Sequence, residues 1–248
     1  MPSEKGNAMK KIIAVNIIVT LLCTLLVAYG AWRFLFSETK PRPQGAPTAA
    51  PHGEGWIDLL DAEHQSQWVN ITDSLDIFEI RDGILHLFGK AMGKLRYAGF
   101  KGRSFSDFEL HLEFKVAPHT NSGVFLRAIE NDPVRRGFEV QVLDDYGTVP
   151  CRTGTGAIYD MVCPMYNMAL PAGEWNSYDI RCEGREVKVT VNGVKVIDTD
   201  FSLLTKPYGK FSLAYAELPL EGLIALQDHG GEVWYRNIRV HPLNETEP

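Results

Sequence analysis

Between Gly55 and Leu243 the chain alternates apolar and polar residues in run after run, and no long stretch repeats at the helical period. The run DFELHLEFKV (107–116) shows it most plainly. Successive side chains of a strand point to opposite faces. Leu110, Leu112, Phe114 and Val116 therefore share one face, and Glu109, His111, Glu113 and Lys115 the other. A strand of this kind has one apolar side, which needs a second layer to cover it. FEIRDGILHLFG (78–89) reads as a hairpin about Asp82-Gly83, and EVKVTVNGVKVID (186–198) as one about Asn192-Gly193, both dipeptides that suit tight hairpin turns. SGVFLRA (122–128), GFEVQVLD (137–144), WNSYDIRCEG (175–184) and EVWYRNIRVH (232–241) continue the pattern, and DLLDAEHQSQWV (58–69) holds one short helical turn. About a dozen short strands with Gly, Asn and Asp turns predict an all-β, two-sheet sandwich.

The N-terminus belongs to a different kind of structure. Lys5, Lys10 and Lys11 precede an apolar stretch running from Ile12 to about Trp32. As a helix this would span about 30 Å, the hydrocarbon thickness of a bilayer. The reading is a cytoplasmic N-terminus (1–11), one transmembrane anchor (12–36), a Pro/Ala/Gly linker (37–54), the β-sandwich (55–243) and a short tail (244–248). The lysines before the stretch keep the N-terminus inside and place the domain outside the membrane, in the periplasm or at the cell surface. Cleavage near Ala28-Tyr29-Gly30, giving a secreted protein, is the alternative.

The formal charge of −6 and the lack of a long basic patch argue against nucleic acid as a partner. Cys151, Cys163 and Cys182 lie in the exported part, an odd number, and a Cys151–Cys163 bridge would close a short loop. The spacing of cysteines and histidines does not suit zinc. Asp144-Asp145 supplies only part of a calcium ligand set. No cofactor or metal is expected, and the oligomeric state is not read from the sequence.

In GFEVQVLDD (137–145), Phe138, Val140 and Val142 face a core, while Glu139 and Gln141 share the opposite face. A carboxylate and an amide side by side on an otherwise apolar strand suggest a polar cleft built on a sheet. Alternation puts Gly123, Phe125 and Arg127 outward on NSGVFLR, and Ala225, Gln227 and His229 outward on LIALQDHG. If these strands are neighbours, Arg127, Glu139, Gln141, Gln227 and His229 converge, with Glu113 and His111 one strand further away. The segment 144–174 is too long for a passive turn and reads as a rim, to which Asp144 and Tyr159 would belong.

Six segments occur in an order that resembles a known family: NSGVFLR (121–127), GFEVQVLDD (137–145), TGAIYD (155–160), EWNSYDIRCEG (174–184), VNG (191–193) and LQDHGGEVWYRNIRV (226–240). Together they are similar to the 3-keto-disaccharide hydrolase domain family, also described as 3-keto-glucoside 1,2-lyase or 3-keto-2-hydroxy-glucal hydratase. The resemblance covers roughly Gly55 to Leu243. It implies a concanavalin A-like jelly-roll sandwich and an oxidised glycoside as substrate. The stretch SLAYAELPLEGLIALQDHG (212–230) is longer around Ala214–Leu220 than the family pattern.

Retaining glycoside hydrolysis uses two carboxylates about 5 Å apart. On the strand of Glu139 the same-face neighbours are Gln141 and Leu143, so only one acid is present, and Glu113 or Asp144 would have to help. A ketone at C3 changes the demand, because it acidifies the hydrogen on C2. One base then suffices to start elimination of the C1 substituent, followed by addition of water. The expected assignment is Glu139 or His229 as base and Arg127 as oxyanion stabiliser. Gln141, Gln227, Asp144, Tyr159 and Glu113 would contact substrate. A lectin-like module using the same groove without turnover is the competing reading, and a structural surface protein a third.

Overall fold

The computed structural model describes residues 16, 19–27, 29, 45–90, 93–130, 132–208 and 213–243. Residues 16, 19–27 and 29 are helical, and no helix among the described residues is long and apolar enough to cross a membrane. Most of the span expected at 12–36, together with the segments 1–11 and 244–248, lies outside the described residues.

The main body is a sandwich of two antiparallel sheets. In chain order its strands are β1 (Ile57–Asp58), β2 (Trp68–Asn70), β3 (Phe78–Arg81), β4 (Ile84–Leu87), β5 (Arg96–Phe100), β6 (Phe108–Val116) and β7 (Asn121–Ala128). There follow β8 (Phe138–Leu143), β9 (Asn176–Glu183), β10 (Glu186–Val191), β11 (Val194–Asp200), β12 (Leu223–Asp228) and β13 (Val233–Pro242). One sheet has eight strands in the order β11-β10-β9-β6-β13-β4-β3, with β1 also on β13; the other has five, β2-β5-β12-β7-β8.

The core is the apolar half of each alternation. Leu110, Leu112, Phe114 and Val116 of β6 and Tyr178, Ile180 and Cys182 of β9 meet Val124 and Leu126 of β7, Val140 and Val142 of β8, and Ile224 and Leu226 of β12. Each such fully buried aliphatic or aromatic side chain contributes about 1.5–3 kcal/mol relative to exposure. The two turn dipeptides behave as their composition predicts. Asp82-Gly83 and Asn192-Gly193 both take positive φ throughout, the conformation of a type I′ hairpin turn. Asn192 is also buried, donating to Met168 O at 2.8 Å and accepting from Ser177 N at 2.8 Å. The helical turn expected in 58–69 is a single 3₁₀ turn, Gln65–Gln67.

Two expectations need revision. Residues 45–54, read as linker, belong to the sandwich: Thr48 N donates to Ser177 Oγ at 2.9 Å, and Thr48 Oγ1 to Asp179 Oδ2 at 2.7 Å. Pro51 O accepts from Arg239 at 2.9 Å. A composition rich in Pro, Ala and Gly reads as extended chain, but it does not say whether that chain docks. Cys151 and Cys163 are free thiols, and Cys182 is buried in the core.

Candidate active site

The outer face of the five-stranded sheet carries the site. Cross-strand register sets it out in rows. Glu139 lies opposite Phe125, Phe125 opposite Ala225, and Ala225 opposite Gly99. In the next row Gln141 lies opposite Gly123, and Gln227 opposite Tyr97; one further step of the β12–β7 register puts Gln227 beside Gly123. The second row thus reads Gln141, Gly123, Gln227, Tyr97 across four strands. Neighbouring strands are about 5 Å apart, so the two glutamines flank a gap about two strand spacings wide with a glycine at its centre.

Gly123 is what lets the rows interlock. A β-carbon there would stand 2.2 Å from Glu139 Oε1 and 2.8 Å from its Cδ. The carboxylate therefore lies over β7, in the space a side chain at 123 would fill. Glu139 is 6% exposed.

The rest of the row is buried and incompletely bonded. Gln141 Nε2 donates to Asn121 Oδ1 at 3.3 Å and to Thr153 O at 3.1 Å. Its Oε1 has no hydrogen-bond partner among the described residues, and neither does Gln227 Oε1 or Tyr97 Oη. Tyr97 and Gln227 lie side by side without a hydrogen bond of good geometry between them. Buried polar groups are nearly always paired, so three orphans in one row mark a place where polar groups from outside complete the bonding. The apolar surround comes from Phe125, Ala128 and Ala225, with Ile71, Leu95 and Val134 packed against them. The Tyr97 ring stands edge-on to Phe125 at 5.1 Å. Burial pushes the Tyr97 phenol up to about 12; the neighbouring Gln227 side chain pulls the other way, and the negative charges of Glu139 and Asp132 add to the rise.

The segment 144–174 builds the adjoining wall. Gln141 N donates to Ala157 O at 3.0 Å, Gly156 N to Gln141 O at 3.0 Å and Tyr159 N to Glu139 O at 2.9 Å, so residues 156–159 run along the free edge of β8. Asp145 pins this return by accepting from Thr155 N at 2.9 Å and Thr155 Oγ1 at 2.7 Å. Tyr159 is half-buried, and its phenol is raised by burial first, then by the charges of Glu139 and Asp160. Asp144, by contrast, serves the β6–β7 turn: its Oδ2 accepts from His119 N at 2.7 Å.

Alternation brings Glu139, Gln141 and Gln227 together as expected. His229 follows β12 by one residue and is exposed. Arg127 is elsewhere. It takes φ +49° where the β7–β12 register slips, so alternation breaks at that residue and Ala128 takes the outward place beside Phe125. The guanidinium is 2% exposed and donates to Ser106 O at 2.8 Å, Gly184 O at 2.6 Å and Asp107 Oδ1 at 3.2 Å. It is a brace to the other sheet, not an oxyanion group near Glu139.

Glu113 and His111 are also misplaced by the sequence reading. Both sit on β6, in the eight-stranded sheet. Glu113 is held by Arg236 Nε at 2.8 Å and Asn237 Nδ2 at 2.6 Å, and His111 Nδ1 meets Asp179 Oδ1 at 2.6 Å. Alternation tells which face a side chain takes but not which sheet its strand joins. Trp175 and Trp234 lie half-buried in this second sheet's region, with Lys115 within 5.2 and 4.7 Å of their ring centres. Tyr97 is the residue that sequence reasoning missed. Its strand, RYAGF, is short and diluted by Ala98 and Gly99, so the alternation signal is weak.

Comparison with known proteins bears on the whole sandwich. The chain is 29% identical over 232 residues to the 3-keto-disaccharide hydrolase of Bacteroides thetaiotaomicron, covering 77% of this chain and 79% of that one. Among solved structures, a provisionally named glycosyl hydrolase from Parabacteroides distasonis ATCC 8503 superposes with a TM-score of 0.65 at 28% identity, over 76% of this chain and 99% of the other. A further protein of the same provisional name and organism gives 0.60 at 26% identity, over 81% and 92%. Residues 55–241 match the family model described as the 3-keto-alpha-glucoside-1,2-lyase-like domain, and the chain belongs to that family.

Proposed function

We propose that the protein is a carbohydrate-active enzyme that cleaves 3-keto-glycosides by general-base elimination, with addition of water completing a net hydrolysis. The observation that carries this reading is the buried carboxylate of Glu139 laid over Gly123, beside a row whose acceptor oxygens, Gln141 Oε1 and Gln227 Oε1, have no partner among the described residues. Unpaired acceptors call for donors, and sugar hydroxyls are donors. The single acid on this strand suits a one-base reaction: of the two carboxylates the sequence offered as its partner, Glu113 lies on the other sheet and Asp144 is engaged by the His119 amide at 2.7 Å. Family membership and the names of the relatives lean the same way.

In the proposed sequence, Glu139 takes the proton from C2, and the electron pair forms C2=C3 while the carbonyl pair moves onto the C3 oxygen. The C3 carbonyl then re-forms, the double bond shifts to C1=C2, and the C1–O bond breaks with its electrons leaving on the aglycone oxygen. His229, exposed just past the end of β12, is the group assigned to protonate that oxygen. Water adding at C1, with a proton returned to C2, gives the free 3-keto sugar. Attachment to a membrane through the N-terminal segment, with the domain exported, is part of the proposal.

The test is release of the C1 substituent from a 3-keto-glucoside by the full chain. Glu139→Gln is expected to reduce kcat by about 10²–10⁴-fold, the usual range for a general base. Full turnover by that variant would remove Glu139 from the role. Saturable glycoside binding with no product would favour a lectin-like module, which would use the same row.

A further inference from the structure

With Arg127 bound into the far side of the sandwich, the reaction proposed above lacks the cationic group expected to meet the developing enolate. We infer that Tyr97 supplies the missing donor, its hydroxyl hydrogen-bonding the C3 oxygen of the substrate as that oxygen gains charge. The inference rests on the 3-keto-glycoside reading and adds a catalytic residue to it.

Three observations carry it. Tyr97 is 5% exposed, and its Oη has no hydrogen-bond partner among the described residues. A buried hydroxyl without a partner destabilises the fold, a cost that persists where a ligand removes it. Next, Tyr97 stands in the row of Gln141, Gly123 and Gln227, across the gap from the strand of Glu139. The phenol also feels the charge of Glu139, which puts donor and base within electrostatic reach. Finally, the division of donors and acceptors is complementary. Gln141 Oε1 and Gln227 Oε1 are acceptors and suit hydroxyls, whereas a ketone oxygen has no proton and needs a donor. Tyr97 is the member of the orphaned set that can give one.

The placement fits what an oxyanion donor requires. Its ring is fixed edge-on against Phe125, so little reorganisation is needed when charge develops. The raised phenol also stays protonated through neutral pH, and so remains a donor. In the step itself the C2 proton goes to Glu139, and the carbonyl electron pair moves onto the C3 oxygen. The Tyr97 hydrogen bond shortens without transferring its proton, and the bond is given back when the ketone re-forms.

Tyr97→Phe tests the assignment in the full chain, with a 3-keto-glucoside as substrate. Phe keeps the ring that packs on Phe125, so the variant is expected to stay folded, which thermal melting followed by circular dichroism checks. The expected result is a loss in kcat of about 10²–10³-fold, the cost of one such donor, with KM changed by no more than about threefold. Washout of deuterium from C2 of a labelled substrate into water should slow by a similar factor, because it reads proton abstraction without the leaving step. A structural hydroxyl would instead lower the melting temperature and leave the kcat of folded protein unchanged, and that result overturns the inference. If the native chain releases no aglycone, the underlying reading fails and takes this role with it. If the native chain turns over and Tyr97→Phe matches it, only the role of Tyr97 falls.

Discussion

A methyl group at position 123 would collide with Glu139 Oε1 at 2.2 Å and with its Cδ and Cγ at 2.8 Å, so the whole side chain, not its tip alone, must turn aside. Gly123→Ala should therefore lower stability by about 1–3 kcal/mol as the buried acid repacks and displace the carboxylate by about an ångström, a misplacement that can cost about 10²-fold in rate. Kinetics with a 3-keto-glucoside and a crystal structure of the variant check both halves. Shortening the acid should give back room, so Gly123→Ala/Glu139→Asp is expected to lose less activity than the product of the two single losses in a double-mutant cycle. Additive losses would mean that Gly123 and Glu139 act independently. Glycine in a strand often marks a close approach, whereas from the sequence Gly123 reads as an outward position in a tight backbone bend, Asn121-Ser122-Gly123. The face of Glu139 was legible because its strand alternates without interruption. The place of Arg127 was not, because its φ of +49° reverses the phase at one residue, and no residue type in NSGVFLRA announces that reversal.

The long return between β8 and β9 is held by few groups, and its attachment is open to measurement. Thr155 Oγ1 donates to Asp145 Oδ1 at 2.7 Å and also lies 2.9 Å from Leu143 O. Thr155→Val keeps the shape and removes the hydroxyl, leaving buried acceptors unpaired at a cost of about 1–3 kcal/mol. Denaturant unfolding should show that loss. Hydrogen exchange should show faster opening at the amides of Gly156 and Tyr159, which bond Gln141 O and Glu139 O. A return that covers an edge strand also shields it from pairing with another chain. The length of 144–174 pointed to a rim, and TGAIYD held the part that docks. What length could not give was the seam itself: an irregular backbone pairs through amides and carbonyls, and those are the same for every residue type. The hairpins were the easiest elements to read, since Asp-Gly and Asn-Gly favour the backbone those turns need.

The two sheets are joined by more than apolar packing. Arg127 reaches from the five-stranded sheet to Asp107 and to the carbonyls of Ser106 and Gly184, beside strands of the other sheet. Removing the guanidinium leaves the carbonyls of Ser106 and Gly184 without their donor, while Asp107 keeps the Gly184 amide at 2.8 Å; unpaired groups of this kind cost about 1–3 kcal/mol. Arg127→Met should lower the urea midpoint accordingly while leaving the kcat of folded molecules unchanged, which separates a brace from a catalytic group. The sandwich as a whole was readable from the count of strands and turns, but the pairing order was not, and so Glu113 and His111 were set beside a site that lies on the opposite layer. Thr48 docks on Ser177 and Asp179 of the eight-stranded sheet, so the chain enters the sandwich on the layer that does not carry Glu139. Packed sheets stand about 10 Å apart. A tether attached at residue 45 would thus pull on the eight-stranded layer, and its load would reach the row of Gln141, Gln227 and Tyr97 only through the packed core between the sheets.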